Sequence, residues 1–230
     1  MDKIFTKNIE HESAVKHVTG KAIYTDDISE PKNLLHAVIG YSNCSKGVIK
    51  KIDYKDVLSS EGVVDIITEK DIEGINDVGP IFKGDKIFTS KNIEYYGQPI
   101  FAVIAKTNNL AKKAALKVKI DLKISKPIVS IEEALKKKSF VLKPKYLTRG
   151  NIKDGFKRSD NFLKGKLYSG GQDHLYLEGQ IAMTIPQEDN NFLVYSSTQH
   201  PSETQQIIGK VLKQNYNSIH VIVRRIGGGF

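Results

Sequence analysis

A mixed α+β fold in two units is what the sequence predicts, and three observations carry it. Short β-branched or apolar runs alternate with helix-spaced patterns. One helix pattern in the first half is set among several strand-like runs, as for a helix laid on a sheet. A second series of strand and helix signals begins after a lysine- and proline-bearing connection. The 230 residues, 40% of them hydrophobic, suffice for one large domain or two modest ones.

Residues 34–42, 62–67 and 100–105 read as buried strands separated by turn-rich stretches. Leu110, Ala111, Ala114, Ala115 and Val118 recur at helical spacing behind Asn108 and Asn109, whose side chains suit a helix N-cap. Ser125-Lys126-Pro127 and Lys143-Pro144-Lys145 flank a short helix at Ile131 to Lys137 and look like connecting material, which puts the boundary near residues 124–150. Strands follow at 162–168, 180–186 and 191–197, with Asp189-Asn190-Asn191 as the hairpin turn between the last two. A helix starts near Pro201, tolerated in a first turn, and is predicted to bury Ile207, Ile208, Val211 and Leu212. Ser218 to Arg225 alternates as a final strand and breaks into Ile226-Gly227-Gly228-Gly229-Phe230.

Composition narrows the function. With 27% charged residues, 18 Gly and 7 Pro, collagenous and coiled-coil chains are excluded. A mean hydropathy of −0.32 and the lack of an apolar run of about 18 residues predict a soluble protein with no membrane partner. The polar, charged start of the chain is unlike a secretory signal and places it in the cytoplasm. Cys44 is the sole cysteine, so an iron–sulfur cluster would have to be held elsewhere. The net charge of +9 could suggest nucleic acid. However, among 35 basic residues only Arg149, Arg158, Arg224 and Arg225 are arginines, and the lysines are dispersed, so a solvated basic surface with no nucleic-acid partner is expected. Phosphate-loop, nucleophile-elbow and zinc-protease signatures are absent, and His11, His17, His36, His174, His200 and His220 lie far apart along the chain.

Three segments concentrate chemistry. Gly170 to Glu178 packs glycines, an amide, an imidazole and two carboxylates into nine residues; a turn entering a half-buried strand, with polar groups satisfying backbone, accounts for it equally well. Ser196-Ser197-Thr198-Gln199-His200-Pro201 joins a strand to a helix and offers neutral donors suited to an oxyanion or a metal-oxo ligand. An ordinary capping loop is its plainer reading. The glycine triplet permits close backbone approach to a bulky or anionic group, and normally leads into further structure. The sequence therefore reads as the front piece of a longer polypeptide or half of a split one.

His11-Glu12-Ser13-Ala14 through His17-Val18-Thr19-Gly20-Lys21-Ala22-Ile23-Tyr24-Thr25-Asp26-Asp27-Ile28, then Gly97-Gln98-Pro99, Gly170 to Glu178, Ser196 to Pro201 and Arg224 to Phe230, resemble in order and spacing the molybdenum-binding subunit of the xanthine dehydrogenase family. The resemblance covers almost the whole chain from about residue 10. It implies an α/β-hammerhead domain over residues 11–125, a linker over 126–150, and over 151–230 the incomplete beginning of the first molybdopterin-binding domain. It also implies a molybdenum–molybdopterin cofactor, hydroxylation of an electron-poor carbon of a purine such as xanthine, and electron transfer to 2Fe-2S clusters and FAD on partner chains or domains.

In that family's pattern Gln199 donates a hydrogen bond to the oxo ligand of molybdenum, and Phe230 presents its backbone to the metal centre, with Gly228 and Gly229 beside it. The motif continues with Gly-Gly-Lys-Glu, whose Glu is the catalytic base. No residue of this chain matches that base, so the remainder of the molybdenum subunit is an implied partner, as is the FAD/iron–sulfur subunit, and the 230 residues alone are not expected to turn over purine. Asp173 and Leu175 stand where Glu and Phe are more usual. An aldehyde-oxidising relative and a non-catalytic remnant are the alternatives.

Overall fold

The computed structural model describes residues 9–229. By its contacts the chain divides into a first unit, formed by the segment ending at Ser125 together with that beginning at Tyr176, and a second unit, Lys126–Leu175. No described helix is long and apolar enough to cross a membrane.

In the first unit a short helix α1 (Ala14–Val18) precedes strands β1 (His36–Tyr41) and β2 (Gly47–Asp53), a helical turn α2 (Lys55–Leu58), strands β3 (Val63–Thr68), β4 (Asn92–Ile93) and β5 (Pro99–Ala105), helix α3 (Asn108–Ala115) and strand β6 (Lys119–Ile124). They form two three-stranded antiparallel sheets, ordered β1-β5-β3 and β4-β2-β6. The central strand β5 is buried almost throughout, as its unbroken apolar run predicts. Its neighbours β1 and β3 keep exposed positions, so the expectation of fully buried strands at 34–42 and 62–67 is corrected: each edge strand has one face in water. Phe101 fills the space over its cross-strand partner Gly40, where a Cβ would overlap the ring, and meets Tyr54 edge-on at 5.2 Å. Helix α3 buries Ala111 and Ala114, small enough to bring it close to β1 and β5. Its N-cap is Thr107, accepting from Leu110 N at 3.2 Å, rather than Asn108 or Asn109, and it ends at Ala115. Val118 therefore lies past the helix, which stops where the alternation of β6 begins.

Strand β2 falls in a stretch that reads as turn-rich. A register shift between Ile49 and Lys51 disrupts its pairing with β6 and spoils the period-two signal.

The same unit continues with strands β7 (Ala182–Pro186) and β8 (Phe192–Ser196), and later β9 (Ile219–Ile222), ordered β7-β8-β9. The β7–β8 hairpin turns where predicted, with Asp189 and Asn190 both left-handed (φ 56° and 58°), a conformation these residue types tolerate. Helix α6, Pro201–Leu212, crosses from β8 to its parallel partner β9. Pro201 opens it as predicted, but only Gly209, against the ring of Tyr216, is buried; Ile207, Ile208 and Val211 are half-buried and Leu212 is exposed. The helix lies on one face of a three-stranded sheet too small to cover a full apolar stripe. Its last carbonyls, on Lys210 and Val211, accept from Ile75 N (3.1 Å) and Gly74 N (2.9 Å), an approach that a Cβ on residue 74 would block.

The second unit holds two capped helices, α4 (Ile131–Lys137) and α5 (Ile152–Arg158). Ser130 and Asn151 accept from their first-turn amides, and Glu133 pairs with Lys137 at 2.7 Å. The strand expected at 162–168 does not form: these residues have no ladder partner among the described residues, and Leu163 and Leu167 are exposed. An alternating pattern makes a strand only when a neighbour pairs its backbone.

Candidate functional site

Because β8 and β9 run parallel, the segments leaving them emerge at the same sheet edge, the place where α/β units bind ligands. The 197–200 loop is fixed by its hydroxyls. Ser197 Oγ accepts from Ile181 N at 3.1 Å, and Thr198 Oγ1 accepts from His200 N at 3.1 Å and lies 3.4 Å from Thr204 Oγ1. The segment after β9 runs through Arg224 and Arg225 into the glycines. The two meet at Gln199, whose Cδ and Oε1 stand 3.2 Å from where a Cβ on residue 229 would be. A cavity of about 440 Å³ opens there, lined by Ser197–His200, Glu203, Ile226–Gly228, Tyr176 and Glu178–Gln180.

Glu178 closes one side. Its Oε2 accepts from Gly227 N at 2.8 Å and its Oε1 from Thr25 N at 3.2 Å. Gly227 sits so close to the Glu178 backbone that no Cβ fits between them. On the other side of the turn Arg225 donates through Nη1 to Ile23 O (2.6 Å) and through Nη2 to Ser13 Oγ (3.3 Å). The receiving segment is itself folded on Asp27, whose Oδ2 accepts from Tyr24 N at 2.9 Å.

The structure thus brings together Gln199, Gly228 and Gly229, which lie about thirty residues apart in sequence. Phe230 lies outside the described residues. The Gly170–Glu178 window divides. Residues 170–175 are exposed and irregular, with Asp173 accepting locally from Leu175 N at 3.0 Å, and no half-buried strand forms; Glu178 satisfies backbone at the site. Gly97-Gln98-Pro99 is a structural turn away from the cavity: buried Gln98 accepts from Glu94 N at 2.8 Å, its own N–H donates to Ser42 Oγ at 3.1 Å, and Gly97 takes φ 80°. Sequence reasoning placed Arg225, Thr25 and Ile23 within motifs but gave them no role at the site, since an Arg donating to backbone over two hundred residues away leaves no spacing to read.

The model of the aldehyde oxidase and xanthine dehydrogenase a/b hammerhead domain matches residues 19–126, and that of the molybdopterin cofactor-binding domain matches residues 134–230. The chain is 37% identical to xanthine dehydrogenase of Dictyostelium discoideum over 225 residues, 98% of this chain and 16% of that one. It is 38% identical to aldehyde oxidase 2 of Mus musculus over 224 residues, 96% of this chain and 16% of that one. Aldehyde oxidoreductase from Desulfovibrio gigas superposes with a TM-score of 0.81 at 26% identity, over 95% of this chain and 26% of that one. The chain is therefore a hammerhead domain followed by the start of a molybdopterin-binding domain, and it belongs to the aldehyde oxidase–xanthine dehydrogenase family. It spans about a sixth of the length of the curated relatives it matches.

Proposed function

We propose that the cavity at the ends of β8 and β9 receives the molybdenum–molybdopterin cofactor of an enzyme that oxidises xanthine or hypoxanthine in purine catabolism. The observation that carries this is the convergence of Gln199 with the glycine turn. The residues fit the group: the Gln199 side chain borders the cavity, and glycine at 228 and 229 leaves main chain that no Cβ covers, while the Ser197 and Thr198 hydroxyls hold the loop in place. When bound, the cofactor supplies two-electron hydroxylation of an electron-poor carbon. This chain's own residues hold and orient it. On this reading Gln199 would hold the group through its side-chain amide and Gly228 and Gly229 through their main chain; Phe230, which the family pattern also assigns to it, lies outside the described residues.

The same reading calls for 2Fe-2S clusters and FAD on other domains or chains to accept the electrons. Cys44 is the sole cysteine and is buried, so cluster ligation falls to those partners. The remainder of the molybdenum subunit supplies the base and the purine-holding residues. The working division is a hammerhead over 11–125, a linker over 126–150 and a cofactor-facing piece over 151–230, in a cytoplasmic enzyme. Aldehyde oxidation is the second reading, favoured by the 38% identity to mouse aldehyde oxidase 2 beside 37% to the slime-mould xanthine dehydrogenase. The test compares kcat/KM of the native protein for hypoxanthine and for an aromatic aldehyde, normalised to bound molybdenum. Purine preference supports the first reading and aldehyde preference the second; a protein holding no molybdenum contradicts both.

A further inference from the structure

We infer that Glu178 and Arg225 are positioning residues that fasten the glycine turn to the segment Ser13–Thr25 and thereby set the shape of the cofactor-facing backbone; this rests on the cofactor reading above. Two independent anchors grip the turn from either side of Ile226. The Glu178 carboxylate bridges two amides distant in sequence, Gly227 N at 2.8 Å and Thr25 N at 3.2 Å. Arg225 reaches Ile23 O at 2.6 Å and Ser13 Oγ at 3.3 Å. Both anchors end on the same short stretch, which Asp27 folds on itself.

A run of three glycines is the most conformationally free backbone a chain can offer, and a binding surface built from it loses that freedom on binding unless something has already removed it. The carboxylate does so without filling the cavity. It accepts at both oxygens, so each N–H···O⁻ bond is charge-assisted, and the absent Cβ of Gly227 lets the turn lie directly on the Glu178 backbone. Two features of the sequence, the 11–28 motif and the acid that ends the Gly170–Glu178 window, thus acquire one purpose: they pre-form the glycine turn opposite Gln199.

The test uses the native protein and two variants. Glu178→Gln keeps the size but turns one acceptor into a donor that faces an N–H. Thr25→Pro removes a single clasped N–H at the first position of a 3-10 turn, after an extended Tyr24, where proline fits. Amide exchange is read by mass spectrometry at Gly227, with Phe101 and Val103 as internal controls; molybdenum per chain and the molybdenum electron paramagnetic resonance signal of the loaded fraction are read alongside. The expected result is exchange at least about tenfold faster at Gly227 in both variants with the controls unchanged, molybdenum content lowered severalfold, and an altered resonance signal. Should Glu178→Gln fail to melt cooperatively, Thr25→Pro alone decides. Unchanged exchange at Gly227, or faster exchange with full loading and an unaltered signal, overturns the inference. A wild-type protein without molybdenum overturns the cofactor reading instead, and Gly227 exchange then still decides whether the clasp holds the turn.

Discussion

At Gly227 there is room for hydrogen and nothing larger, and this fixes what substitution does there. A Cβ would run into the Glu178 main chain, so Gly227→Ala should cost about 1–3 kcal/mol by denaturant unfolding, as overpacking does. Gly155, inside α5 with no atom within 4 Å of an added Cβ, is the control: Gly155→Ala should be neutral or stabilise by about 0.5–1 kcal/mol. Gln199 makes a different case. In the native protein Gln199→Ala should change stability by about 1 kcal/mol or less, because the loop is already held through Ser197 and Thr198. It should lower turnover per bound molybdenum by about 10²–10³, the usual loss when a donor aimed at developing negative charge is removed. A variant that melts earlier yet turns over normally would reduce Gln199 to a capping residue.

At the scale of the elements, α3 and the Tyr54–Phe101 pair hold the hammerhead sheet. Thr107→Ala, which removes the only side-chain cap of an eight-residue helix, should cost about 1 kcal/mol in thermal unfolding. Tyr54 is pushed up to about 12, first by burial and then by the nearby negative charge of Asp71. An unfolded tyrosine ionises near pH 10, so between about 10 and 12 the unfolded state binds fewer protons and stability falls as pH rises, levelling off above 12. Tyr54→Phe should remove that part of the alkaline decline, which a stability–pH series resolves. Strand β5, the β7–β8 turn and the start of α6 were legible because each rests on local chemistry: an unbroken apolar run, two residues that tolerate left-handed backbone, and a proline at a first turn. Strand β2 was hidden by a register shift, and the alternation at 162–168 misled because pairing depends on a partner that sequence does not display. At the site, Gln199 and the glycines were readable from motif order and from the strand–helix–parallel-strand path that returns them to one edge. Glu178 was visible only as one polar residue among several, and Arg225 only as part of the Arg224–Phe230 motif with no role of its own, since their partners near residues 13–25 are set by tertiary packing.

For the whole molecule, the net charge of +9 and the family membership lead to different partners. A dispersed lysine surface should give weak duplex-DNA binding with no sequence preference, lost at moderate salt; tight, sequence-dependent affinity at physiological ionic strength would reopen the nucleic-acid reading. The proposed function instead calls for electron-transfer partners and for a cofactor seated where two distant segments meet. The first unit is built to produce that meeting: parallel β8 and β9 deliver the Gln199 loop and the glycine turn to one edge, while the N-terminal segment braces the turn from outside. Anomalous diffraction at the molybdenum edge, from crystals of the native protein, tests this most directly. A single molybdenum peak in the cavity between Gln199 and Gly228–Gly229 is predicted; a peak bound elsewhere, or none in protein that has turned over, would contradict it.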